Sequence, residues 1–155
     1  MAVRQRIATR SAYPLGPVDD PFPTAVHEGS HCMITFLAGA GSQIEYVAIS
    51  ETSGRMRLRN ADSLNCEILM AGMAGEIVVL GFCEKERAST DLYYARRIAR
   101  STCSGDVEAF LERELNRAIA LLQSHRDTLL ALAREIMDRR YLSGDEVNEV
   151  LVGLH

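Results

Sequence analysis

Residues His27-Glu28-Gly29-Ser30-His31, HEGSH in one-letter form, set the reading of the whole chain. Two histidines four positions apart share one face if the segment is helical, so both imidazoles can reach one ion. Glu28, one position on, lies near enough to act as a base toward a water without itself being a ligand. With only four histidines in the chain, such an HExxH pattern arises by chance at below roughly one per cent. Gly29 is a mild objection, since glycine inside a helix costs ~1 kcal/mol against alanine; it is tolerated where backbone or ligand must come close.

Outward from this stretch, Thr24 to Leu37 reads as a helix, closed by Gly39-Ala40-Gly41. All four prolines fall at or before Pro23, and Arg4, Arg6 and Arg10 stand near the start without an acid. Residues 1–22 are therefore expected to be a flexible lead-in, and residues 23–155 a single domain. Ile44–Ser50 and Arg55–Arg59 flank a turn containing Gly54 and read as a β-hairpin. In the second arm Met56 and Leu58 alternate with Arg55, Arg57 and Arg59, giving one apolar and one basic face. Helices are predicted over Ser63–Leu80, from Ser89 or Thr90 to Ser101, and over Val107–Arg139 with a bend near Ser124. Ser143-Gly144-Asp145-Glu146 has the pattern of a capping box opening a last helix. The fold class expected is mainly α with a small β-hairpin or sheet.

Composition narrows the function classes. Apolar residues make up 47% and charged ones 25%, which is the balance of a globular protein. A net charge of −4 gives no bulk attraction to nucleic acid. Arg55, Arg57 and Arg59 read as a solvated strand face that discourages edge pairing rather than a nucleic-acid site. The apolar stretches around Ile68–Leu80 and Ile119–Leu122 are interrupted and too short for a membrane segment. Cys32, Cys66, Cys83 and Cys103 are widely spaced with no CxxC pair, so reduced thiols and a cytoplasmic location are expected.

A catalytic zinc has three protein ligands and one open position. His125 and the terminal His155 are poorly placed to be the third, and Cys32 points about 100° away from His31 around a helix. Two carboxylates remain, Glu76 and Asp91, each following small residues (Ala71-Gly72-Met73-Ala74-Gly75 and Ala88-Ser89-Thr90) where helices can approach closely. Spacing alone does not choose between them.

HEGSH, AGMAGEIVVLG, ASTDLYYARRIAR and LLQSHRDTLLALAREI followed by YLSGDEVNEVL occur in the order found in another protein group. Together they resemble the peptidase domain of the FtsH-type ATP-dependent zinc metallopeptidases, over about residues 22–152. That family's pattern is approximately HEAGH, then GGRAAE, then GASNDL. The resemblance implies a zincin-like helical bundle, Zn2+ as cofactor, His27 and His31 as ligands and Glu28 as general base. It implies Asp91, matching the Asp of GASNDL, as the third ligand, and gives Glu76 a supporting role or that of an alternative ligand. It also implies hydrolysis of peptide bonds in an unfolded or flexible protein, with the substrate lying against an edge strand in the Ile44–Ser50 hairpin region; that hairpin as plain scaffold is held equal.

The chain departs from the family in ways that shape the expectation. It holds no GxxxxGK(S/T) loop and no transmembrane helix, so a peptidase without its own ATPase is expected, served by a separate unfoldase if folded proteins are its substrates. Ser30 replaces the glycine before the second histidine, Thr90 stands for the Asn before Asp91, and the stretch from Arg59 to Ser63 is short. The alternative is a catalytically silent zinc-binding adaptor that docks on an ATP-dependent protease. The family assembles as a ring, so a homo-oligomer is also left open.

Overall fold

A computed structural model describes residues 20–154 and the backbone of Ile7–Ala8; the expected lead-in falls mostly outside these residues. The strand Ile7–Ala8 (β1) pairs in parallel with Cys83–Glu84 (β4). The first helix, α1, runs Phe22–Leu37, two residues earlier than the sequence reading. Pro23 sits in its first turn, where the missing N–H costs nothing, and Asp20 Oδ1 accepts from Phe22 N at 3.0 Å. Every residue from Thr24 to Thr35 is buried, so α1 is the centre of the molecule rather than an amphipathic surface helix. Two of its buried hydroxyls bond one turn back, Ser30 to the carbonyl of Val26 and Thr35 to that of His31, which keeps them paired in the core.

The hairpin forms as read. Strands Ile44–Ile49 (β2) and Gly54–Leu58 (β3) pair antiparallel, with an irregularity between Ile44 and Tyr46. The sequence reading omits a third strand, Tyr141–Ser143 (β5), which pairs antiparallel with the other edge of β2. The sheet order β3-β2-β5 therefore makes β2 the central strand, and the expectation of a substrate edge in the Ile44–Ser50 hairpin region is corrected to this extent: β2 has both edges occupied, and among the described residues the outer edges of β3 and β5 pair with no further strand.

The second helix, α2, spans Cys66–Leu80. It starts three residues later than expected because Asn65, not Ser63, caps it, accepting from Ile68 N at 2.9 Å. It ends at Gly81, whose φ of +87° is the left-handed conformation that suits glycine. The third helix, α3, covers Lys85–Thr102, beginning several residues before the expected Ser89 or Thr90. Lys85, Glu86, Arg87 and Ala88 are good helix formers that outweigh the capping signal of Ser89. The predicted long helix from Val107 is two helices, Val107–Ser124 (α4) and Arg126–Arg139 (α5), separated at His125.

The last helix, α6 (Gly144–Leu154), opens with the reciprocal capping pair that the sequence implies. Ser143 N donates to Glu146 Oε2 at 2.8 Å and Glu146 N to Ser143 Oγ at 3.2 Å. Gly144 is tied to the sheet: a Cβ there would sit 1.8 Å from the carbonyl oxygen of Ile44. The architecture is thus mainly helical with a small antiparallel sheet. The core joins α1, α2, α4 and α5 through fully buried residues such as Met33, Met70, Leu111, Leu122 and Leu132, each worth about 1.5–3 kcal/mol relative to exposure. No helix among the described residues is long and apolar enough to cross a membrane.

Candidate metal centre

Three elements bring polar side chains together at the middle of α1. His27 and His31 lie one turn apart on α1, with ring centroids 4.8 Å apart. α2 crosses behind them and α3 brings Asp91 to their front. Asp91 Oδ2 lies 2.9 Å from His27 Nε2 and 3.2 Å from His31 Nε2. Among the described residues these three form a group whose ligand atoms lie within 4.8 Å of one another.

The other nitrogen of each imidazole is already committed. His31 Nδ1 is 2.7 Å from the carbonyl oxygen of Ile68; a carbonyl only accepts, so Nδ1 carries the hydrogen and the neutral ring has its lone pair on Nε2. His27 Nδ1 lies 2.6 Å from Glu76 Oε1, the carboxylate–imidazole arrangement that orients metal-ligating histidines. Both rings therefore turn Nε2 toward Asp91. This donor set, two imidazole nitrogens and a carboxylate oxygen, is one that Zn2+ accepts.

Glu76 is fully buried and lies on the far side of His27 from Asp91. Its Oε1 meets Arg87 Nε at 3.1 Å; its Oε2 meets Arg87 Nη2 at 3.1 Å and Glu84 N at 3.2 Å. The geometry thus brings Asp91, not Glu76, to both Nε2 atoms. Cys32 is fully buried in the core, where burial pushes its thiol up. His125 sits at the α4–α5 break and contacts the carbonyl of Leu121, while His155 lies outside the described residues.

The electrostatics favour positive charge at this point. Burial works to lower the His27 imidazole, but hydrogen bonds to Asp91 and Glu76 and the nearby carboxylate charges overcome it and raise it to about 10. His31 is raised as well, burial again opposing and the charge of Asp91 prevailing. Burial alone would raise the carboxyls of Asp91 and Glu76. The His31 charge and bonds to both histidines hold Asp91 far below the usual carboxylate range, and His27 and Arg87 lower Glu76. A divalent cation meets the same demand as protons on the imidazoles.

Space at the site depends on glycines. A Cβ on Gly72 would lie 2.4 Å from His27 Nε2 and one on Gly75 only 1.7 Å from Ser30 Oγ. The small residues of α2 therefore seat the His27 ring and admit Ser30, which stands where the HEAGH pattern has glycine. Gly54, at the head of β3, would place a Cβ 2.7 Å from Glu28 Cγ, so the strand passes directly against this glutamate. Glu28 and the three clustered residues line a cleft of about 760 Å³ bounded by the start of β3 on one side and α3 on the other.

The sequence reading omits Arg87, Glu84 and the Ile68 carbonyl. Only Arg87 left a signal, four positions before Asp91 and so on the same face once α3 is known to begin at Lys85.

No protein-family model matches the chain. It is similar to the ATP-dependent zinc metalloprotease FtsH 2 of Symbiobacterium thermophilum, 24% identical over 82% of this chain and 29% of that protein. It is also similar to the ATP-dependent zinc metalloprotease FtsH 3 of Sorangium cellulosum, 26% identical over 83% of this chain and 28% of that protein. The likeness is thus an FtsH-like one that extends over most of this chain, which spans less than a third of either relative's length.

Proposed function

We propose that this domain is a zinc-dependent peptidase acting on extended or unfolded polypeptide. The observation that carries the reading is the convergence of His27 Nε2, His31 Nε2 and Asp91 in a cleft that Glu28 also lines. His27, His31 and Asp91 would hold the ion, which when bound supplies a Lewis acid that polarises a carbonyl and acidifies water toward ~7. Glu28 takes a proton from the attacking water on its carboxylate and returns it to the leaving amide nitrogen. Glu76 holds the Nδ1 proton of His27 and the Ile68 carbonyl that of His31, so neither ring can turn away.

The cleft favours an extended substrate. Among the described residues β3 has an unpaired outer edge in the sheet, and its first residues line the cleft beside Glu28. A peptide added along that edge bonds through its main chain, whatever its sequence. A folded domain does not fit a volume of about 760 Å³. The relatives are by name ATP-dependent, so delivery of unfolded chain by an ATPase partner belongs to the same reading.

Zinc content and cleavage of casein or a peptide library, compared for wild type and Glu28→Gln, test the proposal. Both proteins should hold about one zinc, and the variant should lose on the order of 10²- to 10⁴-fold in rate. Metal-free wild type at neutral pH would overturn it. Stoichiometric zinc with no turnover, joined to a stable partner in pull-down, would favour the silent adaptor instead.

A further inference from the structure

Arg87 lines the cleft with part of its side chain, but its guanidinium is committed to carboxylates rather than to the clustered histidines. Its guanidinium makes a two-pronged pair with the fully buried Glu76, Nε to Oε1 and Nη2 to Oε2, both at 3.1 Å. Its third nitrogen, Nη1, reaches Glu84 Oε2 at 3.3 Å. One carboxylate oxygen of Glu76 thus serves Arg87 and His27 together, at 3.1 Å and 2.6 Å. The planar fork fixes the plane of the carboxylate, and with it the direction from which His27 Nδ1 is held.

The same residue governs where α3 lies. Arg87 and Asp91 are four apart on α3 and share a face. The buried residues of α3 are Ala88, Leu92, Ala95 and Ala99, so three of its four anchors are alanines with little apolar surface to give. A forked pair to a residue inside α2 therefore supplies hold that the apolar face lacks, one turn from the residue that must meet both histidines.

We infer that Arg87 is a positioning residue of this site: through Glu76 it orients His27 and it sets α3 at the height where Asp91 reaches both imidazoles. This rests on the zinc reading above, and its consequence is that Arg87 tunes metal affinity without touching the metal. Partners of this kind typically change affinity by about 10- to 100-fold when removed.

The test measures zinc affinity by chelator competition and the visible spectrum of the cobalt-substituted protein. The variants are Arg87→Ala, Arg87→Lys, Glu76→Gln and the double variant Glu76→Gln with Arg87→Ala. Arg87→Ala should weaken zinc by about 10- to 100-fold and shift the cobalt bands. Arg87→Lys should recover part of the loss, because an ammonium replaces the charge but not the fork. The double variant should bind no worse than Glu76→Gln alone, since Arg87 acts through Glu76. Affinity within about twofold of wild type in Arg87→Ala, or losses that simply add in the double variant, would overturn the inference. If Arg87→Ala does not fold, Arg87→Lys decides: unchanged affinity and spectrum overturn it. A wild-type chain that takes up no zinc would instead bring down the reading of the site itself.

Discussion

Helices α2 and α3 each carry one of the two carboxylates that the sequence offers as a third ligand, and they are built on opposite lines. α2 is buried continuously from Ile68 to Glu76, with glycines where α1 presses against it. α3 is rich in charge and buries only four residues, three of them alanine. A carboxylate on the buried helix must be fully partnered where it stands, and Glu76 is, by a histidine, an arginine and a main-chain N–H. A carboxylate on the exposed helix keeps a side open to the cleft, as Asp91 does with its side chain 18% exposed. The helix that supplies space and the helix that supplies reach thus divide the two acids between support and contact.

The most direct way to break that division is to remove each acid in turn. Apparent zinc affinities of about 10–16 kcal/mol shared among four ligands imply roughly 3 kcal/mol for each. Asp91→Ala should therefore lower zinc affinity by roughly 100- to 1000-fold, and Glu76→Gln by about 10- to 100-fold, both read by chelator competition. Equal losses would mean that the two acids are not divided in this way.

A smaller effect probes the space that α2 leaves for α1. Gly75→Ala drives a methyl onto Ser30, whose Oγ and Cβ would be 1.7 Å and 2.6 Å away, and should cost about 1–3 kcal/mol. Thermal unfolding should shift down by about 2–4 °C for each kcal/mol. Adding Ser30→Gly should restore most of the loss, and failure to do so would place the conflict elsewhere. The smallest effect has the opposite sign. The nearest atoms to a Cβ on Gly29 would be side-chain methyls of Ile136, Leu129 and Leu132 at 3.4–3.8 Å, ordinary contact distances, so Gly29→Ala should raise stability by up to ~1 kcal/mol. A fall in melting temperature would show that α1 packs against α5 as tightly as it does against α2.

Local signals carried the parts of the fold that the sequence made legible. The HEGSH helix, the alternation of Met56 and Leu58 with arginines, and the Ser143–Glu146 cap each depend on residues within one or two turns. β5 escaped because three residues after a helix, Tyr141-Leu142-Ser143, have no pattern of their own and form a strand only where β2 offers an edge. The start of α3 escaped because Ser89 and Thr90 imitate a cap inside a run of good helix formers. Glu76 and Asp91 could not be separated by spacing, since their geometry depends on how α2 and α3 lie about α1. The small residues Gly72 and Gly75 did mark a close approach, but not which side chain would fill each gap.

The Ile68 carbonyl that holds His31 has a consequence for how this site can be mapped. The acceptor is part of the main chain, so no replacement of the residue 68 side chain deletes it. An alanine scan would pass over this position and report it as inert toward imidazole orientation. Only an alteration of the backbone itself, such as an ester in place of the peptide bond between Ile68 and Leu69, would weaken that carbonyl as an acceptor. Part of the chemistry at this centre is therefore encoded where ordinary mutation, natural or designed, has no purchase.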